Sequence, residues 1–290
     1  MRGVLVTLAI VLAIGAAVAH GATRQEQHVT LIGDSVADAI PGDDRAVAIL
    51  RQGIDLDLEV AACRRVDQES CPNDSGRPPN VVQLAKTMGT KLGPNVVVAV
   101  GYNDFADEYA QNIENALAAF KDDGVKRVWW LTLRAVHHPY LDMNADIEAA
   151  AAHHPELSVI DWNVYSRSHP DWFQPDGLHL LGPGSEAMAE LIHKTLLQDG
   201  IALKPVQVAT TALPVARRGR PYAARLGAAQ GLAPFRWSLL ARAPKGIHLE
   251  ADGRIIGRPL ARPGTYVLNV RVADSAGSFA TRRLTLRIKL

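Results

Sequence analysis

The chain has 290 residues, of which 48% are apolar and 21% are charged. These fractions are typical of globular proteins and exclude a disordered or collagen-like chain. The formal net charge is +1, so we expect no large electrostatic surface for nucleic acid, although the arginine-rich C-terminal end leaves room for a local basic patch. The length is compatible with two ordinary domains.

The first 22 residues have the pattern of a signal peptide. Arg2 precedes an apolar run from Val4 to Val18, which ends in the cleavage pattern Ala17-Val18-Ala19, with Ala22 as a second cleavage position. The alternative is a membrane anchor, but the run is shorter than the roughly 20 residues that a spanning helix needs. We therefore expect an exported protein, secreted or periplasmic, without a membrane span after cleavage.

The two cysteines, Cys63 and Cys71, both lie in the part of the chain that we expect to be exported. Disulfides form and persist in such compartments, so we predict a Cys63–Cys71 disulfide; the alternative is two free thiols. Two cysteines without nearby histidines do not make a zinc site, and we expect no metal.

Short apolar runs alternate with helix-like segments between His28 and Gln198. The predicted strands are 28–33, 56–63, 95–101, 126–134 and 157–162, and the predicted helices are 43–52, 81–91, 105–122, 141–153 and 184–198. This alternation predicts a five-stranded parallel sheet covered on both faces, a flavodoxin-like three-layer α/β sandwich over residues 27–200. In such folds the active site lies beyond the carboxyl ends of the strands.

The pattern changes after a predicted linker at 201–205. Apolar residues alternate with polar ones over 266–272 and 284–290, and Asp252-Gly253 is a hairpin signal. Residues 206–290 are therefore predicted to form a small all-β sandwich. The segments 219–222, 234–237, 247–249, 253–257 and 264–274 resemble the immunoglobulin-like modules of bacterial exported proteins. One hypothesis is that this module contacts a cell-wall or polysaccharide surface; another is that it is a spacer.

Two candidate motifs follow the first and third predicted strands. In Gly33-Asp34-Ser35, a serine at a strand-to-helix turn is lifted to the sheet edge, with its own N–H near the positive end of a helix. The alternative is an ordinary helix-capping serine. In the segment 101–104, Gly-Tyr-Asn-Asp, the amide of Asn103 is a candidate donor to an oxyanion; the alternative is a plain turn.

A third motif, Asp176-Gly-Leu-His179, precedes the last predicted helix of the α/β domain. The three-residue spacing allows the carboxylate to turn back to the imidazole, fixing its tautomer and stabilising its charged form. The alternative is a surface loop that holds both residues by chance. A parallel sheet would gather all three motifs at one edge, so the combination is more specific than its parts.

Together, the three motifs resemble those of the SGNH/GDSL hydrolases over about residues 28–198. The resemblance implies that Ser35 is the nucleophile, that His179 and Asp176 complete the triad, and that Ser35 and Asn103 donate to the oxyanion. It further implies hydrolysis of ester bonds through an acyl-enzyme, without metal or organic cofactor. The neighbouring turn residues would support these loops: Gly33, Asp34, Gly101 and Asp104.

The chain departs from this family after the second strand, where the family has a glycine whose N–H joins the oxyanion hole. Here the sequence is Ala62-Cys63-Arg64-Arg65. The N–H of Cys63 or of Arg64 is the candidate replacement, and a disulfide at Cys63 would hold the loop. Arg64 and Arg65 are expected to be solvated, with an anionic substrate group as the alternative partner.

The remaining histidines give weaker signals. The adjacent pairs His137-His138 and His153-His154 lack metalloenzyme spacing, so we expect surface or rim positions, with His138 a candidate for the cleft. His169 is a poorer candidate base than His179. Trp129, Trp130 and Trp162 are expected in the core, whereas loop aromatics are candidates for shaping a pocket: Tyr102, Phe105, Tyr140 and Trp172.

We therefore expect an exported serine esterase acting on small-molecule or carbohydrate esters, acetyl esters among them. Two alternatives remain open. An acyltransferase would use the same triad on a carbohydrate hydroxyl, and product analysis with an alcohol acceptor distinguishes it. A non-catalytic glycan-binding protein would bind glycan without any turnover.

Overall fold

The computed structural model describes residues 28–290. The predicted signal peptide lies outside the described residues. Within 28–290, no helix combines the length and apolar character needed to cross a membrane.

The N-terminal part of this range contains a five-stranded parallel sheet. Its strands are β1 (His28–Gly33), β2 (Asp55–Val60), β3 (Asn95–Ala99), β4 (Arg127–Leu131) and β5 (Leu157–Ile160). The strand order is β2-β1-β3-β4-β5, and each neighbouring pair is parallel. The central strand β3 is buried along its whole length, because its Val-Val-Val-Ala run fits a strand covered on both faces.

Helices cover both faces of this sheet. They are α1 (Asp44–Leu50), α2 (Val81–Met88), α3 (Tyr109–Asp122), α4 (Pro139–His153), α5 (Trp162–Ser166) and α6 (Gly182–Gln198). Successive strand residues point to opposite faces, so Trp130 packs with α2, α3 and α4, whereas Trp129 packs with α1 and α6. The three-layer α/β sandwich predicted from the sequence is confirmed.

Capping residues help to set the helix starts. The side chain of Asp43 accepts hydrogen bonds from two backbone N–H groups at the start of α1. Asn80 and Gln83 form a reciprocal capping box at the start of α2. Both helices begin within one residue of the predicted positions.

The C-terminal residues form short sheets in which neighbouring strands are antiparallel, except that β7 pairs with β14 in parallel. Their strands are β6 (Gln207–Val208), β7 (Ala216–Arg217), β8 (Tyr222–Arg225), β9 (Ala228–Ala229), β10 (Arg236–Leu239), β11 (Ile247–Leu249), β12 (Arg254–Gly257), β13 (Gly264–Ala273) and β14 (Phe279–Lys289). One sheet has the order β10-β13-β14-β7 and a second the order β11-β12-β8. Trp237, Val270 and Leu286 are buried in their shared core, and the predicted all-β fold is confirmed.

Candidate active site

The loop after β1 carries Ser35. The chain passes from Gly33 almost directly into a short 3-10 helix at 37–39. A Cβ on Gly33 would meet the Ala37 Cβ at 2.5 Å and a Val60 methyl at 2.9 Å, so only glycine fits this close approach. The turn leaves Ser35 half-buried at the carboxyl edge of the sheet.

Buried Asp34 ties the loop after β1 to the loop after β3. Its backbone N–H donates to Ala99 O at 3.1 Å, and its Oδ2 accepts from the N–H groups of Gly101 and Tyr102, each at 3.1 Å. Burial raises the pKa of Asp34 to about 6, although backbone donors, including the N–H of Val36, lower it. The connections reverse direction between β1 and β3, which is where open α/β sheets bind ligands.

The loop before α6 carries Asp176 and His179. The Nδ1 atom of His179 lies 2.6 Å from Asp176 Oδ2, while Asp176 Oδ1 accepts from the backbone N–H groups of Leu178 and His179. The hydrogen bond from the His179 side chain, with that from Leu178 N–H, lowers the pKa of Asp176 to about 2. The carboxylate therefore orients the imidazole and stays charged at neutral pH.

The structure brings Ser35 and His179 together across 144 positions of sequence. Ser35 Oγ lies 3.0 Å from His179 Nε2. With the Nδ1 proton donated to Asp176, Nε2 is free to accept the hydroxyl proton of Ser35. The three side chains form a continuous chain of hydrogen bonds from hydroxyl to carboxylate.

The loop after β3 carries Asn103 and Asp104. The Nδ2 of Asn103 donates a long hydrogen bond to Arg64 O at 3.4 Å, and Asp104 Oδ1 accepts from Val66 N–H at 3.0 Å. Burial raises the pKa of Asp104 to about 7. Both residues thus tie the loop after β3 to the loop after β2.

Cys63 has a backbone φ of 68°, a left-handed conformation that favours glycine. It forms the predicted disulfide with Cys71, and Cys71 N–H donates to Cys63 O at 3.2 Å. Asn73 Nδ2 also donates to Ala62 O at 2.8 Å. The residue that replaces the glycine of the related family thus holds a glycine-like conformation in a cross-linked loop.

Two cavities flank these loops. A polar groove of about 610 Å³ lies between Ala61, Ala62, Asp38 and the segment 73–79, which carries Asn73, Asp74, Ser75 and Arg77. A second, apolar cavity of about 10 Å³ is lined by Val36, Tyr102 and core residues, among them Leu133, Trp162 and Met188. The first cavity has room for a polar group, whereas the second has room for one water molecule at most.

The two arginines after Cys63 differ from the sequence expectation. Arg64 is only 3% exposed, and its Nε and Nη1 have no hydrogen-bond partner among the described residues. Burial lowers the pKa of its guanidinium, opposed by the nearby charges of Glu59 and Asp34. The expectation of a solvated Arg64 is wrong, because the loop folds this side chain inward. Arg65 is half-buried, and its guanidinium lies 4.6 Å from the centre of the Phe105 ring.

The remaining candidates form no hydrogen bond with Ser35 or the His179 ring among the described residues. His137, His138 and His153 are exposed, and no group of three metal-ligating side chains gathers within 28–290. His169 stacks on Trp172 at 3.9 Å between ring centres, in an aromatic cluster that the sequence did not predict. Trp129, Trp130 and Trp162 are buried, as predicted. Of the loop aromatics, Tyr102 and Tyr140 pack edge to face, and Phe105 is exposed.

These observations define a three-layer α/β domain with a Ser-His-Asp arrangement at the carboxyl edge of its sheet, followed by an all-β module. Residues 204–289 match the family described as "Putative Ig domain". The match covers the strands β6 to β14 and supports the resemblance found in their sequence.

Relatives of the chain include two proteins named as O-acetyltransferases. The chain is 25% identical over 113 residues to the "Putative peptidoglycan O-acetyltransferase YrhL" of Bacillus subtilis, covering 38% of this chain and 17% of the relative. It is 30% identical over 106 residues to the "O-acetyltransferase OatA" of Staphylococcus aureus, covering 37% and 17%. The chain thus spans about a sixth of the length of these relatives.

Similar solved structures include a "putative arylesterase" from Agrobacterium tumefaciens, with 12% identity and a TM-score of 0.47, covering 59% of this chain and 99% of that one. A carbohydrate esterase family 3 protein from Talaromyces cellulolyticus has 15% identity and a TM-score of 0.43, covering 59% and 96%.

Proposed function

We propose that the α/β domain is a serine acyl-transfer enzyme that hydrolyses short-chain esters through an acyl-enzyme on Ser35. The hydrogen-bonded chain Ser35–His179–Asp176, with heavy-atom distances of 3.0 and 2.6 Å, is the observation that carries this proposal. It provides a nucleophile, a base and a group that orients the base.

In the proposed reaction, His179 Nε2 accepts the hydroxyl proton as Ser35 Oγ attacks the ester carbonyl carbon. The N–H of Ser35 and the amide of Asn103 donate to the oxyanion, with the N–H of Cys63 as the candidate third donor. Protonated His179 then gives its proton to the leaving alcohol. Water attacks the acyl-enzyme with His179 again as base, releasing the acid and restoring Ser35.

The polar groove supports a polar alcohol as one part of the substrate. It has a volume of about 610 Å³ and is lined by Asp38, Asn73 and Arg77, which suits hydroxyl-rich alcohols such as carbohydrates. The names of two relatives, both O-acetyltransferases, support an acetyl group as the acyl part. We therefore propose acetyl esters of carbohydrates as the substrate class.

The test is turnover of aryl acetate and aryl octanoate by the parent chain, Ser35→Ala and the control Ser168→Ala, which removes an exposed serine outside the hydrogen-bonded chain. We expect Ser35→Ala to reduce kcat/KM for the acetate by at least about 10³-fold, with Ser168→Ala unchanged. Equal activity of parent and Ser35→Ala, or a preference for the octanoate, would contradict the proposal.

A second candidate function is acyl transfer to a carbohydrate hydroxyl, which the polar groove and the names of the relatives favour. The same residues would act, with a sugar hydroxyl replacing water in the second step. Incubation of the acyl-enzyme with a chitooligosaccharide acceptor and quantification of acetylated sugar against free acetate distinguishes the two. Predominant free acetate at saturating acceptor supports hydrolysis, and predominant acetylated sugar supports transfer.

We further propose that the protein is exported. The Cys63–Cys71 disulfide supports this, because disulfides persist in oxidising compartments. The peptidoglycan-related name of one relative is consistent with a substrate outside the cytoplasm. Cell fractionation with an antibody to the chain tests the proposal, and a cytoplasmic location of the processed protein would contradict it.

A further inference from the structure

Charge is divided unequally along the chain. Residues 206–290 contain 15 lysines and arginines but only three acidic residues, Glu250, Asp252 and Asp274. Residues 1–205 contain 16 lysines and arginines and 27 aspartates and glutamates. The formal net charge of +1 therefore conceals a strongly basic module joined to an acidic remainder of the chain.

The sheet β10-β13-β14-β7 sorts its residues between two faces. Along β13 and β14, alternate residues such as Leu268, Val270, Leu284 and Leu286 are buried in the module core. The residues between them point to the other face, because successive strand residues alternate. In the register of β13 and β14, Arg283 lies opposite Asn269 and Arg287 lies opposite Thr265.

This outward face, which we call the basic face, carries arginine and lysine side chains from all four strands. They are Arg217, Arg236, Arg271, Arg283, Arg287 and Lys289. The outward positions of these four strands hold no acidic residue, and none of the six cations forms an ion pair with an acidic side chain of the described residues. Arg217 Nη1 donates to Leu290 O at 3.4 Å. Five of the six are exposed and Arg271 is half-buried, so most of this charge faces solvent.

The spacing of these cations suits an extended anionic chain. Outward residues two apart on a strand lie about 7 Å from each other, and neighbouring strands lie about 4.8 Å apart. Arg283, Arg287 and Lys289 thus form a row along β14, with Arg271 on the adjacent strand. An exposed flat array of this kind attracts a repeating anion by summed, salt-sensitive interactions.

The residues among the cations favour a carbohydrate over nucleic acid or lipid. Ser238, Thr265, Thr281 and Thr285 offer hydroxyls, and Asn269 offers an amide, all able to hydrogen-bond sugar hydroxyls. The aromatic residue at an outward position of these strands, Phe279, has the Arg271 guanidinium 4.1 Å above its ring. Phe279 is 57% exposed, so one ring is open to stacking, whereas single-stranded nucleic acid stacks successive bases on several aromatic side chains.

We propose that the basic face docks the protein onto an acidic polysaccharide, a carbohydrate polymer that carries repeating carboxylate groups. Guanidinium groups of the row on β14 would contact the carboxylates, and the hydroxyl and amide side chains would contact the sugar. The surface is distant in sequence from Ser35 and uses none of the residues placed in the acyl-transfer machinery. The inference therefore stands independently of the proposed function.

The test measures the Kd of the full chain for polygalacturonate, with neutral dextran as the reference polymer, at 50 and 300 mM NaCl. The face variant Arg283→Gln/Arg287→Gln removes two charges from the basic face. The matched control Arg225→Gln/Lys245→Gln removes two exposed charges elsewhere in the module, outside the strands of that face. Thermal unfolding of each variant checks that the module remains folded.

We expect the face variant to weaken polygalacturonate binding by about 5- to 30-fold, from two exposed ion pairs, and the control to change it less than twofold. Binding should weaken at 300 mM NaCl, and dextran should not bind. Equal weakening by both variants, or no binding at 50 mM NaCl, would overturn the proposal. Tighter binding to single-stranded DNA or to phosphatidylglycerol vesicles at equal charge concentration would overturn the choice of partner.

Discussion

Asp176 uses its two carboxylate oxygens for separate tasks. Oδ1 accepts the backbone N–H groups that fold its own turn, and Oδ2 accepts the proton on His179 Nδ1. In Asp176→Asn, the side-chain carbonyl oxygen can still accept the two backbone N–H groups. The side-chain NH2 group would then face His179 Nδ1. Such an amide favours the tautomer with the proton on Nε2, which cannot accept a proton from Ser35.

We therefore expect Asp176→Asn to lower kcat by about 10²- to 10⁴-fold with little change in KM. Asp171→Asn is the matched control, because it removes an exposed carboxylate upstream of Asp176. Steady-state kinetics on an aryl acetate measure both. The pKa of Asp176, lowered to about 2, also predicts that the carboxylate stays ionised above about pH 4. A loss below threefold in Asp176→Asn would contradict this role.

Asp104 makes the free energy of unfolding depend on pH. Burial raises its pKa to about 7, so the native state binds this proton more tightly than the unfolded state, where an aspartate pKa is about 3.9. The contribution to stability is thus present below about pH 4 and is lost as pH rises to about 7. Because Asp104 Oδ2 has no hydrogen-bond partner, an asparagine amide can replace it without losing the Val66 contact.

We predict that Asp104→Asn flattens the pH dependence between pH 4 and 7. Relative to the parent, the variant should gain up to about 4 kcal/mol of unfolding free energy over this range. Urea unfolding at pH 4.5, 6 and 7.5 measures the difference between the two proteins, which isolates Asp104 from the other carboxyls. Parallel pH curves for parent and variant would show that Asp104 does not titrate in this window.

At the scale of elements, the loop from Ala61 to Asn80 combines a strained residue with a cross-link. Cys63 has the left-handed φ of 68°, so alanine at this position should be strained and glycine should not. We expect Cys63→Gly/Cys71→Ala to be more stable than Cys63→Ala/Cys71→Ala by about 0.5–1 kcal/mol, after the greater entropy of unfolded glycine is subtracted. Both variants lack the disulfide, so urea unfolding compares the backbone effect alone; equal or greater stability of the alanine variant would contradict it.

The elements themselves were largely predictable. The valine-rich run at 95–99 and the period-two alternation at 266–272 each depend on burial that local sequence encodes. The predicted fifth strand extended to Trp162, but the chain forms α5 there, with Asp161 accepting from Val164 N–H as its cap. A buried apolar residue after a strand gives the same sequence pattern whether it continues the strand or begins a helix. Periodicity alone therefore did not distinguish the two structures at Trp162.

The candidate site was predictable only in part, because its residues come from loops. The sequence placed Ser35 and Asn103 after strands and His179 before the last helix of the α/β domain, and a parallel sheet brings such loops to one edge. It did not predict the burial of Arg64, since arginine is usually exposed. Nor did it predict the polar groove, which depends on how the segment 73–79 folds against Ala61.

At the scale of the whole molecule, the net charge of +1 predicts no large electrostatic surface for nucleic acid, while the arginine-rich C-terminal end is compatible with a local basic patch. The charges of the acidic and basic regions cancel in the net charge of the chain. The net charge therefore does not reveal the basic face, which carries six cations. Salt screens interactions between exposed charges beyond roughly 10 Å under physiological conditions. The net charge of each region therefore describes its surface better than the net charge of the whole chain does.

The proposed reaction requires a covalent bond between an acyl group and Ser35. Intact-mass and peptide mass spectrometry after treatment with an aryl phosphonate ester, which stops at the first covalent step, tests this directly. We predict one adduct per chain on the peptide containing Ser35, and its absence in both Ser35→Ala and His179→Ala. An adduct on another residue, or equal labelling of Ser35→Ala and the parent, would contradict the account.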